Sequence, residues 1–254
     1  MFCFASTETM AYGQWAPDPE IAGRGGAAGA AGGLLAPLRP AQLPLDGTWH
    51  VRLDRHVPFG VSEAATVGAR LGRTNGRSAW LGSVQSVKFD AYASMMLVAS
   101  YMQPITRRRG IRAGASAGWN HERMGLLGAR NTPVVAVGVT WRPYEQACLA
   151  VTVLSSRAVR LHGWVAAADA TYEFGRSWPQ LHASATVHPE FGPSWHLGST
   201  WAAMKRVQID IGGANNPFRT AASIRIRTGS VLARFAFEWQ PEPGLSRWVS
   251  VGWS

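Results

Sequence analysis

Residues Val231–Gln240 read VLARFAFEWQ. Val231, Ala233, Phe235, Phe237 and Trp239 occupy one set of alternate positions, and Leu232, Arg234, Ala236, Glu238 and Gln240 the other. A period of two places the two sets on opposite faces of a pleated strand. Just before this run stands Thr228-Gly229-Ser230, a connection short enough to make the preceding run its antiparallel neighbour. The same alternation recurs upstream. Val135, Val137, Val139 and Trp141 oppose Ala136, Gly138, Thr140 and Arg142, and Ala147, Leu149, Val151 and Val153 oppose Gln146, Cys148, Ala150 and Thr152. Leu181, Ala183, Ala185 and Val187 alternate with His182, Ser184, Thr186 and His188, and Ile111, Ala113, Ala115, Ala117 and Trp119 with Arg112, Gly114, Ser116, Gly118 and Asn120. Asn75-Gly76 predicts a two-residue hairpin, and prolines punctuate the remaining run ends. From about Asp46 to Ser254 the pattern predicts twelve to fourteen antiparallel strands, hence an all-β chain.

The remainder of the chain is different. Ile21–Pro44 is dominated by Gly, Ala and Pro and has no period, so residues 1–45 read as a flexible N-terminal segment, a linker or plug-like arm, ahead of a β-domain over 46–254. The longest strongly apolar stretch, Tyr92 to Met102, is too short for a spanning helix, which needs about 20 residues. Met1 to Gly13 lacks the basic start and apolar core of a secretory signal, so an exported chain would be a processed or truncated one. Cys3 and Cys148 make no disulfide framework, and neither cysteines nor histidines fall at a metal-ligand spacing, so no metal and no cofactor is expected.

A soluble sandwich alternates too, and the composition of the faces separates the two cases. Only 16% of residues are charged, against about 25% in an ordinary soluble domain. The more polar face is rich in Gly, Ala, Ser and Thr, which suits a crowded barrel interior better than a solvated sheet. The apolar face carries tryptophan near the run ends: Trp49, Trp119, Trp141, Trp195, Trp201, Trp239 and Trp253. Indole prefers the level of lipid headgroups, so these residues predict a membrane-interface girdle. Runs of about 9 to 12 residues also match the length of a tilted spanning strand. With its final alternation of Val249, Val251 and Trp253 against Ser250 and Gly252, the region after Asp46 resembles the bacterial outer-membrane β-barrel proteins. That resemblance implies an antiparallel transmembrane barrel in the outer membrane, with membrane lipid and other envelope proteins as partners.

The net charge of +10 is carried almost wholly by Arg, since Lys88 and Lys205 are the only lysines. Placed inward, Arg52, Arg112, Arg142, Arg160, Arg206, Arg225, Arg227 and Arg234 outnumber Asp54, Asp210 and Glu238 and predict a basic, anion-binding lumen. The expected function is a channel or export conduit for small anions or an acidic polysaccharide. Arg107-Arg108-Arg109 sits at a run boundary, as a solvated loop or a contact with lipid phosphates. Two other classes compete. A soluble capsid-like jelly roll with a flexible arm would use the charge for nucleic acid, but the arm holds only Arg24 and Arg39, which argues against a nucleic-acid partner. A lipid-modifying barrel enzyme would draw on His182, Ser184, His188 and His196, but no nucleophile-elbow motif accompanies them, so an enzyme is not expected.

Overall fold

The computed structural model describes residues 38–43, 48–75, 77–90, 92–106, 110–125, 128–156, 163–175, 179–188, 192–215, 218–242 and 244–253. Fourteen strands alternate up and down: β1 (Trp49–Val57), β2 (Thr66–Thr74), β3 (Ala79–Phe89), β4 (Tyr92–Thr106), β5 (Ile111–Met124), β6 (Ala129–Tyr144) and β7 (Ala147–Ser156), then β8 (Gly163–Glu173), β9 (Gln180–His188), β10 (Gly192–Met204), β11 (Val207–Asn215), β12 (Phe218–Thr228), β13 (Val231–Gln240) and β14 (Gly244–Trp253). Each pairs antiparallel with its neighbours in sequence, and β1 pairs with β14 to close the barrel. Closure leaves no unpaired strand edge, the condition for a sheet to exist in hydrocarbon. The count is the upper end of the expected range.

Because fourteen is even, β1 begins and β14 ends at the same rim, called here the terminus rim; the other is the far rim. Connections run from two residues, as between β12 and β13, to eight between β1 and β2. Gly229 and Ser230 make the two-residue turn between β12 and β13, with Gly229 at φ +59°, a left-handed value that hairpin turns of this length require. The Asn75-Gly76 expectation needs correction, since four residues separate Thr74 from Ala79. Asn75 sets that turn through its side chain: Oδ1 accepts from the Arg77 N–H at 2.9 Å and the Ser78 N–H at 2.7 Å. A longer asparagine-capped loop thus replaces the tight hairpin.

Alternation holds through the barrel. In β6 the even-numbered Thr132, Val134, Ala136 and Thr140 are buried while Val135, Val137, Val139 and Trp141 are exposed. Inside the barrel lies a piece of the N-terminal segment, residues 38–43, with one 3-10 turn at Pro40–Gln42. The Ala41 carbonyl accepts a hydrogen bond from Thr140 Oγ1 at 2.9 Å. Leu43 packs with Ala79, Leu81 and Met102, and Leu38 with Met96, Val98 and Val134. This explains the departure of Tyr92–Met102 from alternation: both faces of β4 carry apolar residues, the inner one packed against the arm and the outer one exposed on the barrel wall.

Candidate functional site: the barrel interior and its membrane belt

The interior wall is built from polar side chains that bond to one another across strands. Asp54 on β1 is held between Arg52 Nε at 2.6 Å and Arg70 Nε of β2 at 3.2 Å. Asp210 on β11, fully buried, accepts from Thr200 Oγ1 and Ser223 Oγ, both at 2.6 Å, and from Gln208 Nε2 at 3.0 Å. Thr200 also meets His182 Nε2 at 2.9 Å, and His182 Nδ1 meets Thr171 Oγ1 at 3.2 Å, so one chain of hydrogen bonds runs from β8 to β12. Asp169 on β8 anchors the arm: Arg39 Nη1 pairs with its Oδ2, Gln42 Nε2 donates to the same oxygen at 3.0 Å, and Ser184 Oγ donates to Oδ1. Buried carboxylates are costly unless satisfied in this way.

Among the described residues nine arginines share the inward face: Arg52, Arg70, Arg112, Arg130, Arg142, Arg219, Arg225, Arg227 and Arg234. Six acids accompany them: Asp54, Glu122, Asp169, Glu173, Asp210 and Glu238. Of the expected set, Arg52 and Arg234 are buried in the wall, while Arg112, Arg142, Arg225 and Arg227 lie near the terminus rim with part or all of the side chain exposed. Arg142 lies beside both Arg112 and Cys148. Arg206 is misplaced in the expected set: it sits in the two-residue turn between β10 and β11, because Lys205 and Arg206 close that hairpin instead of extending either strand. Arg160, His162 and Arg107–Arg109 lie outside the described residues. Arg70, Arg130 and Arg219 were missed, although Arg70 is on the small, polar set Thr66, Gly68, Gly72 and Thr74 and could have been found there.

Among the described residues, the candidate serine and histidines are engaged in the wall. His182 and Ser184 point the same way from β9, but Ser184 is committed to Asp169 and His182 to two threonines. His196 meets Ser194 at 3.0 Å and Arg219 at 3.3 Å. The side chain of His188 is outside the described set. No group of three metal-ligating side chains occurs among the described residues.

Outside, the barrel is apolar over its whole girth. Leu53, Leu97, Val137, Val151, Ile211 and Phe237 are examples, each about half exposed. All seven expected girdle tryptophans face outward. Trp49, Trp141, Trp201 and Trp253 ring the terminus rim, and Trp119, Trp195 and Trp239 lie in the far half. Trp80 and Trp164 also face outward near strand ends and were not among the expected seven. Trp80 meets Trp49 edge-on at 5.5 Å between centroids, and the Arg73 guanidinium sits 5.2 Å over the Trp49 ring. An exterior of this kind is stable only against hydrocarbon.

No protein-family model and no curated protein sequence matches the chain. Solved structures do. The toluene transporter TbuX of Ralstonia pickettii superposes with a TM-score of 0.69 at 11% identity, over 95% of this chain and 98% of that one. A FadL homologue of Pseudomonas aeruginosa gives 0.67 at 10% identity over 93% and 98%, and the outer membrane protein Omp33 of Acinetobacter baumannii gives 0.59 at 12% over 82% and 98%. The chain has the closed antiparallel β-barrel fold of these proteins. For this barrel the apolar outer wall can be tested directly. Val137, at mid-length on β6 and 53% exposed, lies at mid-height of the apolar outer wall. Val137→Arg is expected to lower stability by about 2–4 kcal/mol, read as a shifted urea midpoint in lipid vesicles. An unchanged midpoint would place this face against water.

Proposed function

We propose that the barrel is a passive channel selective for anions, with small anionic solutes or an acidic polysaccharide as its cargo. One observation carries this reading. Arg112 on β5 stands seven strands around the hoop from Arg225 and Arg227 on β12, and Arg142 on β6 stands six strands from them. In a fourteen-strand barrel seven steps is the opposite wall, so cations confront each other across the terminus mouth. Guanidinium groups set in a low-dielectric wall concentrate anions at the mouth, and their planar forks match carboxylate and phosphate. The inward-facing acids of the same half are engaged within the wall: Asp169 by Arg39, Gln42 and Ser184, Asp210 by its three donors, and Glu173 by Gln180 Nε2 at 2.9 Å; Glu145 is exposed in the β6–β7 turn. Partial exposure of the mouth arginines suits passage, which needs sites that release as readily as they bind.

Reconstitution in a planar bilayer under a potassium chloride gradient tests the proposal. The reversal potential is expected to show preference for chloride, and Arg225→Glu with Arg227→Glu is expected to abolish or invert it. Cation preference in the unaltered protein would overturn the reading. A second reading, passage of small apolar solutes, is favoured by the likeness to a toluene transporter. Toluene uptake by vesicles containing the barrel, without ion conductance, would favour it over the first.

A further inference from the structure

We infer that the outer face of the far rim, from β14 through β1 and β3 to β5, is a docking surface for phosphorylated lipid headgroups. Four cations project outward there: Arg247 on β14, Arg55 on β1, Lys88 on β3 and Arg123 on β5, all exposed. Each lies within four residues of the strand's far end, the level at which a spanning strand leaves hydrocarbon for headgroups. Strand register links them. Lys88 pairs with Ala93, and Ala93 with Arg123, so these two cations flank one small residue. Arg247 pairs with Val57, one residue beyond the row His56, Thr66 and Val87, so Lys88 falls on the same row as Arg247. With strands about 4.8 Å apart, successive cations on this row are about 10–15 Å from one another. None of the four forms an ion pair among the described residues; the described acids nearby, Glu63, Asp90 and Glu242, are exposed in the connections.

The rest of the same rim differs. From β6 to β13 the outward positions near the far ends include Trp164, Trp195, Phe218 and Trp239, and the described ones carry no charge. Cations thus cluster at the rim over one arc only, where Trp119 on β5 is set further from the strand end. They stand on a wall whose next residues inward, such as Leu53, Val84 and Leu97, are lipid-facing, so headgroups are what surround them. Phosphate is the headgroup component that guanidinium and ammonium donors bind best, and each cation near a membrane surface strengthens that attraction.

Native mass spectrometry of the full chain in detergent, with lipid A and dephosphorylated lipid A as probes, tests this. The phosphorylated form is expected to be retained and the dephosphorylated form lost. Replacing Arg55, Lys88, Arg123 and Arg247 by Gln is expected to weaken retention about fivefold for each cation removed. Should the fourfold variant fail to fold, Lys88→Gln and Arg123→Gln taken singly carry the same expected step. Arg73→Gln with Arg77→Gln, at the other rim, is expected to change nothing. Equal retention of the two lipids, or equal loss from the Arg73 and Arg77 variant, would overturn the assignment.

Discussion

Asp169→Ala is expected to destabilise the barrel by about 3–5 kcal/mol, the usual cost of removing one partner from a buried charge pair. The carboxylate is fully shielded, the Arg39 side chain 16% exposed, and Gln42 and Ser184 are buried beside them. Removing Asp169 leaves a cation and two polar groups without their acceptor. Leu38 and Leu43 would still hold the arm by apolar contact, so its release should be partial. Limited proteolysis is the appropriate readout, with cleavage within residues 38–43 appearing in the variant before the barrel unfolds. An arm as resistant as in the unaltered protein would mean that the apolar contacts alone anchor it.

Gly118→Ala is the second change with a large expected effect. A methyl group at Gly118 would lie 2.3 Å from the Leu97 carbonyl oxygen, 2.8 Å from Val98 Cγ2 and 3.1 Å from Val98 Cα. Two of these three atoms are backbone, so relief requires β4 and β5 to move apart where their pairing is longest. Overpacking usually costs about 1–3 kcal/mol, and a backbone clash belongs at the upper end. The urea midpoint of the refolded barrel measures it. Gly82→Ala is the control, since its methyl would meet only the Leu71 carbonyl at 3.9 Å. If both variants unfold together, the close approach at Gly118 is being relieved elsewhere.

Much of this architecture was legible before any coordinates. Alternation in Val135–Trp141 and Val231–Trp239 assigns each residue to a face by parity alone, and the structure places those faces as expected. Parity fails where a strand ends, which is why Arg206 reads as a wall residue and sits in a turn. It is also silent on circumference. That β5 and β12 oppose each other follows from the strand count, and a sequence that allows twelve to fourteen strands does not fix it. The inner arm was readable only as aperiodic Gly/Ala/Pro sequence, because the contacts of Leu38, Arg39 and Leu43 join positions far apart in the chain. Its partner Asp169 stands among alanines with no local signal of a bound cation.

One residue on the last strand turns the barrel's closure into something a spectrometer can follow. Trp248 points inward, 5% exposed, and stacks on His56 of the first strand at 4.3 Å, while every other described tryptophan faces outward. A bromine-labelled acyl chain should therefore quench the emission of the outward indoles and spare this one. As the two ends of the sheet zip together, a small protected component should emerge from an otherwise lipid-quenched signal, a clock for the final step of insertion written into the seam itself.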